Sequence, residues 1–252
     1  MSLEFALSTI KKNTFQIKVF EKNITLKFNE NSIEWVKQYK SREVEKSEKL
    51  RREKYQNINS DIFLFINYIY KFVLPDFNFI EKHLPGHNEK YLELGAGLGI
   101  FAVILYHLLE GKINLNLVEV EVNKDHLSKF NFDSIPDEEK KIAKIFPLKL
   151  LNEFLNLNNI KANTYSPKEI KKSNLTNINY VFSFRSYCFL YDIEEYSTFL
   201  STSMAVDGKI ICDVAKQRNQ VNKFKKEFFY KKTLAENDYF ARIFAMKNFM
   251  IS

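Results

Sequence analysis

Apolar and polar residues alternate from Phe15 to Phe20 and again from Ile24 to Phe28, with Glu21, Lys22 and Asn23 between the two runs. A period of two marks half-buried strands, and the short polar break predicts a hairpin. Ser32 reads as the N-cap of a long polar helix from Ile33 to Lys54, because a short hydroxyl side chain can accept from the free N–H groups of a first turn. Lysines, arginines and glutamates interleave along this helix, many of them three or four apart. That spacing describes a solvated face paired with itself. Asp61 reads as the cap of an apolar helix over Ile62–Leu74, with Pro75 as its stop, and a short helix follows from Phe77 to His83.

Beyond residue 88 short apolar runs alternate with longer amphipathic ones. The strands expected are Lys90–Leu94, Asn114–Glu119, Lys161–Tyr165, Asn179–Phe184 and Lys209–Val214. The helices expected between and after them are Ile100–Leu109, Lys124–Phe130, Ala143–Leu157, Ile193–Met204 and Gln217–Phe228. Such alternation predicts a parallel sheet with helices on both faces. Phe229–Leu234 and Tyr239–Lys247, joined by residues 235–238, then predict an antiparallel hairpin that closes the sheet. The chain therefore reads as an α/β core over 89–252 with an N-terminal hairpin and helical appendage over 1–88.

The segment YLELGAGLGIFA carries the main chemical signal. An apolar strand runs into Gly95, Gly97 and Gly99, and a helix follows at once. Glycines permit a sharp turn and a close ligand approach, and a helix N-terminus offers unpaired N–H groups. Residues Gly97 to Ala102 formally fit a dinucleotide pattern. Glu93 weighs against it, since a carboxylate at the strand end would repel a pyrophosphate. The same charge suits the amino group and cationic sulfonium of S-adenosylmethionine. Glu119 ends the second strand, where a carboxylate can accept both hydroxyls of a ribose. Glu121 is the near neighbour, and Glu119 is preferred because it directly follows Leu117 and Val118. The plainer reading of the whole constellation is an ordinary tight turn in an α/β domain.

Composition narrows the setting. The chain has 252 residues with 45% hydrophobic content, which supplies a real core and argues against wholesale disorder. Its two cysteines, Cys188 and Cys212, sit in apolar runs and read as reduced, buried thiols of a cytoplasmic protein. The start MSLEFALSTIKK lacks the pattern of a secretory leader. The longest apolar stretch, Ile62–Leu74, is too short to span a bilayer. The net charge of +7 admits an anionic partner such as nucleic acid, and equally reflects a general abundance of Lys, Asn, Ile and Phe.

The blocks ELGAGLG and LVEVE, followed by a terminal strand hairpin, resemble the class I S-adenosylmethionine-dependent methyltransferases over residues 89–252. The segments IFPLKLLNEFLNLNNI, YVFSFRSYCFLYDIEEY and GKIICDVAK more particularly resemble bacterial sugar O-methyltransferases. The resemblance implies a Rossmann-like, seven-stranded, mostly parallel sheet with an antiparallel C-terminal hairpin. It implies S-adenosyl-L-methionine as cofactor, held by Glu93, Gly95, Gly97 and Gly99, with Glu119 on the ribose. Ser166 then falls at the adenine edge, where many relatives carry Asp, and Ser183 to Tyr187 face the transferred methyl. The implied acceptor is a hydroxyl of a sugar or sugar derivative, with the appendage as a substrate lid.

Around the fourth strand the chain departs from common signatures. No Asn-Pro-Pro-Tyr-like motif follows it, and no Asp or His set suggests a catalytic metal. Phe184, Tyr187, Phe189 and Tyr191 either wall a pocket or pack in the core. Arg185 either reaches solvent along the cleft or holds an anionic group of the acceptor. His126 begins the helix after Glu119 and falls near the adenosine, His87 either borders the cleft or lies on the surface, and His83 and His107 read as packed or surface residues. Arg185, Tyr187 and His126 are thus the catalytic candidates, and no base stands out. The rival functions are an RNA methyltransferase, an NAD-linked reductase and a non-catalytic binding protein. The first draws on Lys216–Lys232, with seven Lys or Arg against one Glu. Glutamates interleaved with the basic residues of the appendage argue against nucleic acid, and intact Glu93 and Glu119 argue against a dead site.

Overall fold

A computed structural model describes residues 2–39, 41–119, 148–184, 186–188, 192–216 and 219–247. They fall into two compact units. The first comprises residues 2–82, 98–111 and 148–160, and the second 83–97, 112–119 and the described part of 161–247.

In the first unit, a short helix α1 (Leu3–Ser8) precedes the expected hairpin, β1 (Thr14–Val19) with β2 (Lys22–Lys27). Phe15 pairs with Leu26 and Ile17 with Ile24, so the hairpin buries one face. The polar stretch forms α2 (Glu30–Tyr39) and α3 (Ser41–Lys54) rather than a helix starting at Ile33. Its cap is Asn29, not Ser32: the Asn29 Oδ1 accepts from the Ser32 N–H at 3.0 Å, and the Ser32 Oγ accepts from the Asn29 N–H at 2.8 Å. This reciprocal pairing is a capping box, with Ser32 in the position usually held by Glu or Gln. Asn59, not Asp61, caps α4 (Ser60–Tyr68), accepting from the N–H groups of Asp61 and Ile62.

Pro75 does not stop this helical run. It sits in the first turn of α5 (Leu74–Ile80), where its missing N–H costs nothing. The strain of entering a proline is absorbed one turn earlier, where Ile69–Val73 is π-helical and the Leu74 N–H bonds to the Ile69 carbonyl. The unit also holds α6 (Ile100–Leu108) and α7 (Leu148–Leu157). Phe15, Phe28, Phe65 and Phe154 meet with ring centroids 5.6–6.3 Å apart, tying hairpin, α4 and α7 together. Buried Asn158 clasps Lys27, accepting from its N–H at 2.8 Å and donating to its carbonyl at 3.1 Å.

The second unit is built on the sheet. Its strands are β3 (Lys90–Leu94), β4 (Asn114–Val118), β5 (Asn163–Tyr165), β6 (Ile178–Ser183), β7 (Met204–Ala215), β8 (Phe228–Glu236) and β9 (Phe240–Lys247). Among the described residues the sheet has seven strands in the order β5-β4-β3-β6-β7-β9-β8. The first five run parallel, and β9 is antiparallel to both neighbours. The chain thus winds outward from β3 through β4 to β5, then returns to the other side of β3 with β6. That reversal is a topological switch point, where α/β sheets open a crevice beyond the strand ends.

One sheet face packs its Leu92, Leu94, Val118, Val181 and Ile210 against three helices of the same unit: α8 (Pro167–Lys172), α9 (Glu194–Ser203) and α10 (Gln220–Glu227). Helix α8 was not legible as a helix in the sequence, being only six residues long. The expected helix Lys124–Phe130 lies outside the described residues. No helix of the described residues is long and apolar enough to cross a membrane.

Candidate functional site

The site grows from the C-terminal ends of the parallel strands. Register brings Leu94 beside Val118 and Val118 beside Tyr165. Past Leu94 the chain turns back on β4, where the Val118 carbonyl accepts from both Gly95 N–H (2.9 Å) and Ala96 N–H (3.0 Å). Gly95 and Gly97 have φ of 76° and 57°, a left-handed geometry that glycine adopts without a Cβ penalty. Glu119 reaches back to this turn, and its Oε2 accepts from the Gly97 N–H. The loop and the second carboxylate are therefore one assembly.

Beside that assembly lies a small cavity of about 10 Å³. Pro167 lines it beyond β5, Val118 and Glu119 at β4, Leu94 and Gly95 at β3, and Ser186 beyond β6, with Tyr196 of α9 completing the wall. The cavity crosses four strand ends and spans the switch point between β3 and β6. Its volume is room for about one water, far below the roughly 300–1,000 Å³ of most ligand pockets, so it marks the crevice at the strand ends and does not enclose a cofactor. Burial raises the Tyr196 hydroxyl pKa, and the Glu195 and Glu119 carboxylates add to the effect. That hydroxyl stays protonated, a donor beside the Glu119 side of the wall.

The other residues expected at the site are placed as follows. Glu93 is buried, but strand alternation turns it to the face opposite Leu94, and its Oε2 accepts from the Tyr91 hydroxyl at 2.8 Å. It does not line the cavity. Gly99 belongs to the first unit, where with φ 78° it precedes α6. The positive φ strains any residue with a Cβ, and a Cβ there would also come within 2.6 Å of Leu151 Cδ1, so the turn itself favours glycine. Ser166 is the N-cap of α8, in a capping box with Glu169. Ser183 is fully buried and bridges two segments, donating to the Leu94 carbonyl at 2.8 Å and accepting from the Tyr187 N–H at 2.9 Å.

Tyr187 is a core residue, its hydroxyl donated to the Ile193 carbonyl at 2.6 Å. Phe184 stacks on Phe182 and carries the Arg242 guanidinium 4.4 Å above its ring. His83 lies against Phe244, His87 is exposed, and His107 is half-buried on α6. Arg185, His126, Glu121, Phe189 and Tyr191 lie outside the described residues. Cys188 and Cys212 are both buried and unbridged, and burial pushes the Cys212 thiol pKa up.

Sequence reasoning missed Ser186, Pro167 and Tyr196. Ser186 belongs to the stretch already singled out, but nothing in its surroundings distinguishes it from Ser183. Tyr196 reads as one aromatic on a helix, and only the tertiary fold turns it toward Glu119.

No family model matches the chain, and no curated protein does. Among solved structures it is similar to MtNAS in complex with MTA and tNA, at 11% identity over 86% of this chain and 70% of that one, with a TM-score of 0.50. It is also similar to an SAM-dependent methyltransferase from Aquifex aeolicus (14% identity, 72% and 93% coverage, TM-score 0.47). A third is M. capricolum TrmK in complex with S-adenosyl-homocysteine, at 13% identity, 69% and 68% coverage and a TM-score of 0.43. The likeness to MtNAS shows a shared Rossmann-like α/β fold.

Proposed function

We propose that this chain is an S-adenosylmethionine-dependent methyltransferase acting on a hydroxyl of a sugar or a similarly small polar metabolite. The observation that carries the cofactor reading is the Glu119–Gly97 assembly on a cavity at the switch point. In this reading Glu119 accepts a ribose hydroxyl while its Oε2 stays on the loop. Pro167 and Tyr196 give an apolar side for the base. The preference for S-adenosylmethionine over a dinucleotide rests on the resemblance of the glycine loop, since Glu93 faces away from the cavity and bonds Tyr91.

Bound S-adenosylmethionine supplies an electrophilic methyl on sulfur. The work left to the protein is to hold the acceptor oxygen in line behind that carbon, exclude water and take up the hydroxyl proton. The sugar acceptor rests on the resemblance of residues 180–196. Residues 89–252 are the catalytic core in this reading, and residues 1–88 an appendage that shapes specificity.

Calorimetry with S-adenosylhomocysteine tests the cofactor. The wild type binds it, NAD does not compete, and Glu119→Ala loses about 1–3 kcal/mol of affinity, the scale of hydrogen bonds to a charged group. Unchanged affinity in that variant removes Glu119 from the ribose. Transfer of labelled methyl to a panel of sugars and nucleotide sugars tests the acceptor.

A further inference from the structure

The outer corner of the sheet carries exposed rings that the core of the second unit does not use. Among the described residues β8 is the outermost strand, paired on one side only, with β9. Five residues in a row, Phe229 to Thr233, are exposed. Phe229 and Tyr230 are 55% and 36% exposed, where large aromatic side chains are ordinarily buried. As strand neighbours they leave on opposite faces, so the two rings straddle the rim of the sheet. Each carries a cation. Lys225 Nζ lies 4.4 Å from the Tyr230 ring centroid, and Lys231 Nζ lies 4.2 Å from that of Phe229. A ring holds a lysine in place without cancelling its charge. Residues 225–232 contain four lysines against one glutamate, Glu227.

Several kinds of partner fit this corner poorly. An added strand needs a regular row of backbone groups, and β8 has register shifts between Tyr230 and Lys232 and between Thr233 and Ala235. A second copy of the chain would bring lysines against lysines. A nucleic acid needs a line of cations along its backbone, while residues 229–232 span only about 10 Å of strand. A bilayer with anionic headgroups answers both halves of the patch. Aromatic rings settle at the headgroup level, and lysines beside them reach lipid phosphates. An apolar signal and a basic one, each weak alone, then add. We propose that the β8 corner docks the protein on an anionic bilayer surface, with Phe229 and Tyr230 in the headgroup layer and Lys225, Lys231 and Lys232 on lipid phosphates. This is attachment to a surface and not passage through it, and it does not depend on the cofactor reading.

Sedimentation of the intact chain with vesicles tests this, using phosphatidylcholine alone and phosphatidylcholine mixed with phosphatidylglycerol. The chain binds the mixed vesicles, does not bind the zwitterionic ones, and is released as salt rises. The double variant Lys231→Gln with Lys232→Gln weakens partition about fivefold for each charge removed. Phe229→Ser weakens it about fivefold, the scale of half-burying such a ring, and does so at every salt concentration. The substituted side chains are exposed, so thermal midpoints stay at the wild-type value. Binding to neither vesicle at low salt overturns the proposal, as does equal binding to both. Unaltered binding in both variants also overturns it, because the contact then lies on another face. If only the lysine variant weakens binding, the rings stay out of the layer, and the corner is a charge site for an acidic protein segment, which polyglutamate in place of vesicles detects. That outcome overturns the proposal too.

Discussion

His107 is half-buried on α6, and burial holds its pKa below the usual histidine value by disfavouring the charged ring. The sign of the consequence follows from linkage. Below the unfolded value of 6.5 the unfolded chain binds a proton that the folded ring resists, so His107 lowers stability progressively as the pH falls through that value, and has no such effect above it. His107→Gln should therefore lose less stability than the wild type between pH 7.5 and pH 5.5. Urea midpoints at the two pH values measure the difference, and parallel losses in both proteins would refute the assignment. The glycines show what was readable at this scale. Gly95, Gly97 and Gly99 all have positive φ, and the sequence pattern foretold the turn they make. What sits against Gly95 and Gly99 was not readable, because Ser186 and Leu151 arrive from far along the chain.

Strands β7 and β9 are joined by more than their ladder. Asp213 and Arg242 are cross-strand partners, and the guanidinium donates Nε to Oδ1 at 2.7 Å and Nη2 to Oδ2 at 2.9 Å. Both side chains are buried, at 0% and 3% exposure. At such burial the cost of removing one partner is dominated by the charge left behind, about 3–5 kcal/mol. Arg242→Met should lower stability by that amount, and the double variant Asp213→Leu with Arg242→Met should recover most of it. Urea unfolding of the three proteins checks this, and a loss under about 1 kcal/mol in the single variant would mean the Asp213 charge is relieved another way. Element types were largely legible, since period-two and period-3.6 patterns survive any tertiary context. Their ends were less so. Asn29 and Ser32 are both good caps by residue type, and only the geometry tells which one faces the free N–H groups. Pro75 looked like a terminus because its i−4 bond is lost, yet a π-helical turn before it lets the chain continue. The β5–α8 corner stayed hidden because a three-residue strand and a six-residue helix show too few periods to read.

At the scale of the whole molecule the question is what a net charge of +7 is for. Affinity for a nucleic acid backbone comes from cations available to displace counterions. In the most basic stretch several cations are already engaged. Lys216 pairs with Glu236, Lys223 with Glu194, and Lys225 and Lys231 lie over the rings of Tyr230 and Phe229. The same holds elsewhere, with Lys171 on Glu195, Lys37 on Asp61, and both Arg51 and Arg52 on Glu48. Exposed pairs of this kind add little stability, but they spread positive charge among negative neighbours instead of gathering it into one stripe. A phosphate backbone would have to compete with glutamates already in place. The chain should therefore form no sub-micromolar complex with duplex DNA or RNA at physiological salt, and any binding at low salt should fade with a shallow dependence on ionic strength. Filter binding across a salt series measures both. A tight complex whose log affinity falls with a slope near −0.9 per displaced counterion, summed over many contacts, would move the acceptor from a sugar hydroxyl to a nucleic acid. It would leave the proposed role of Glu119 and the glycine turn untouched, because that proposal depends on the strand ends and not on the surface charge.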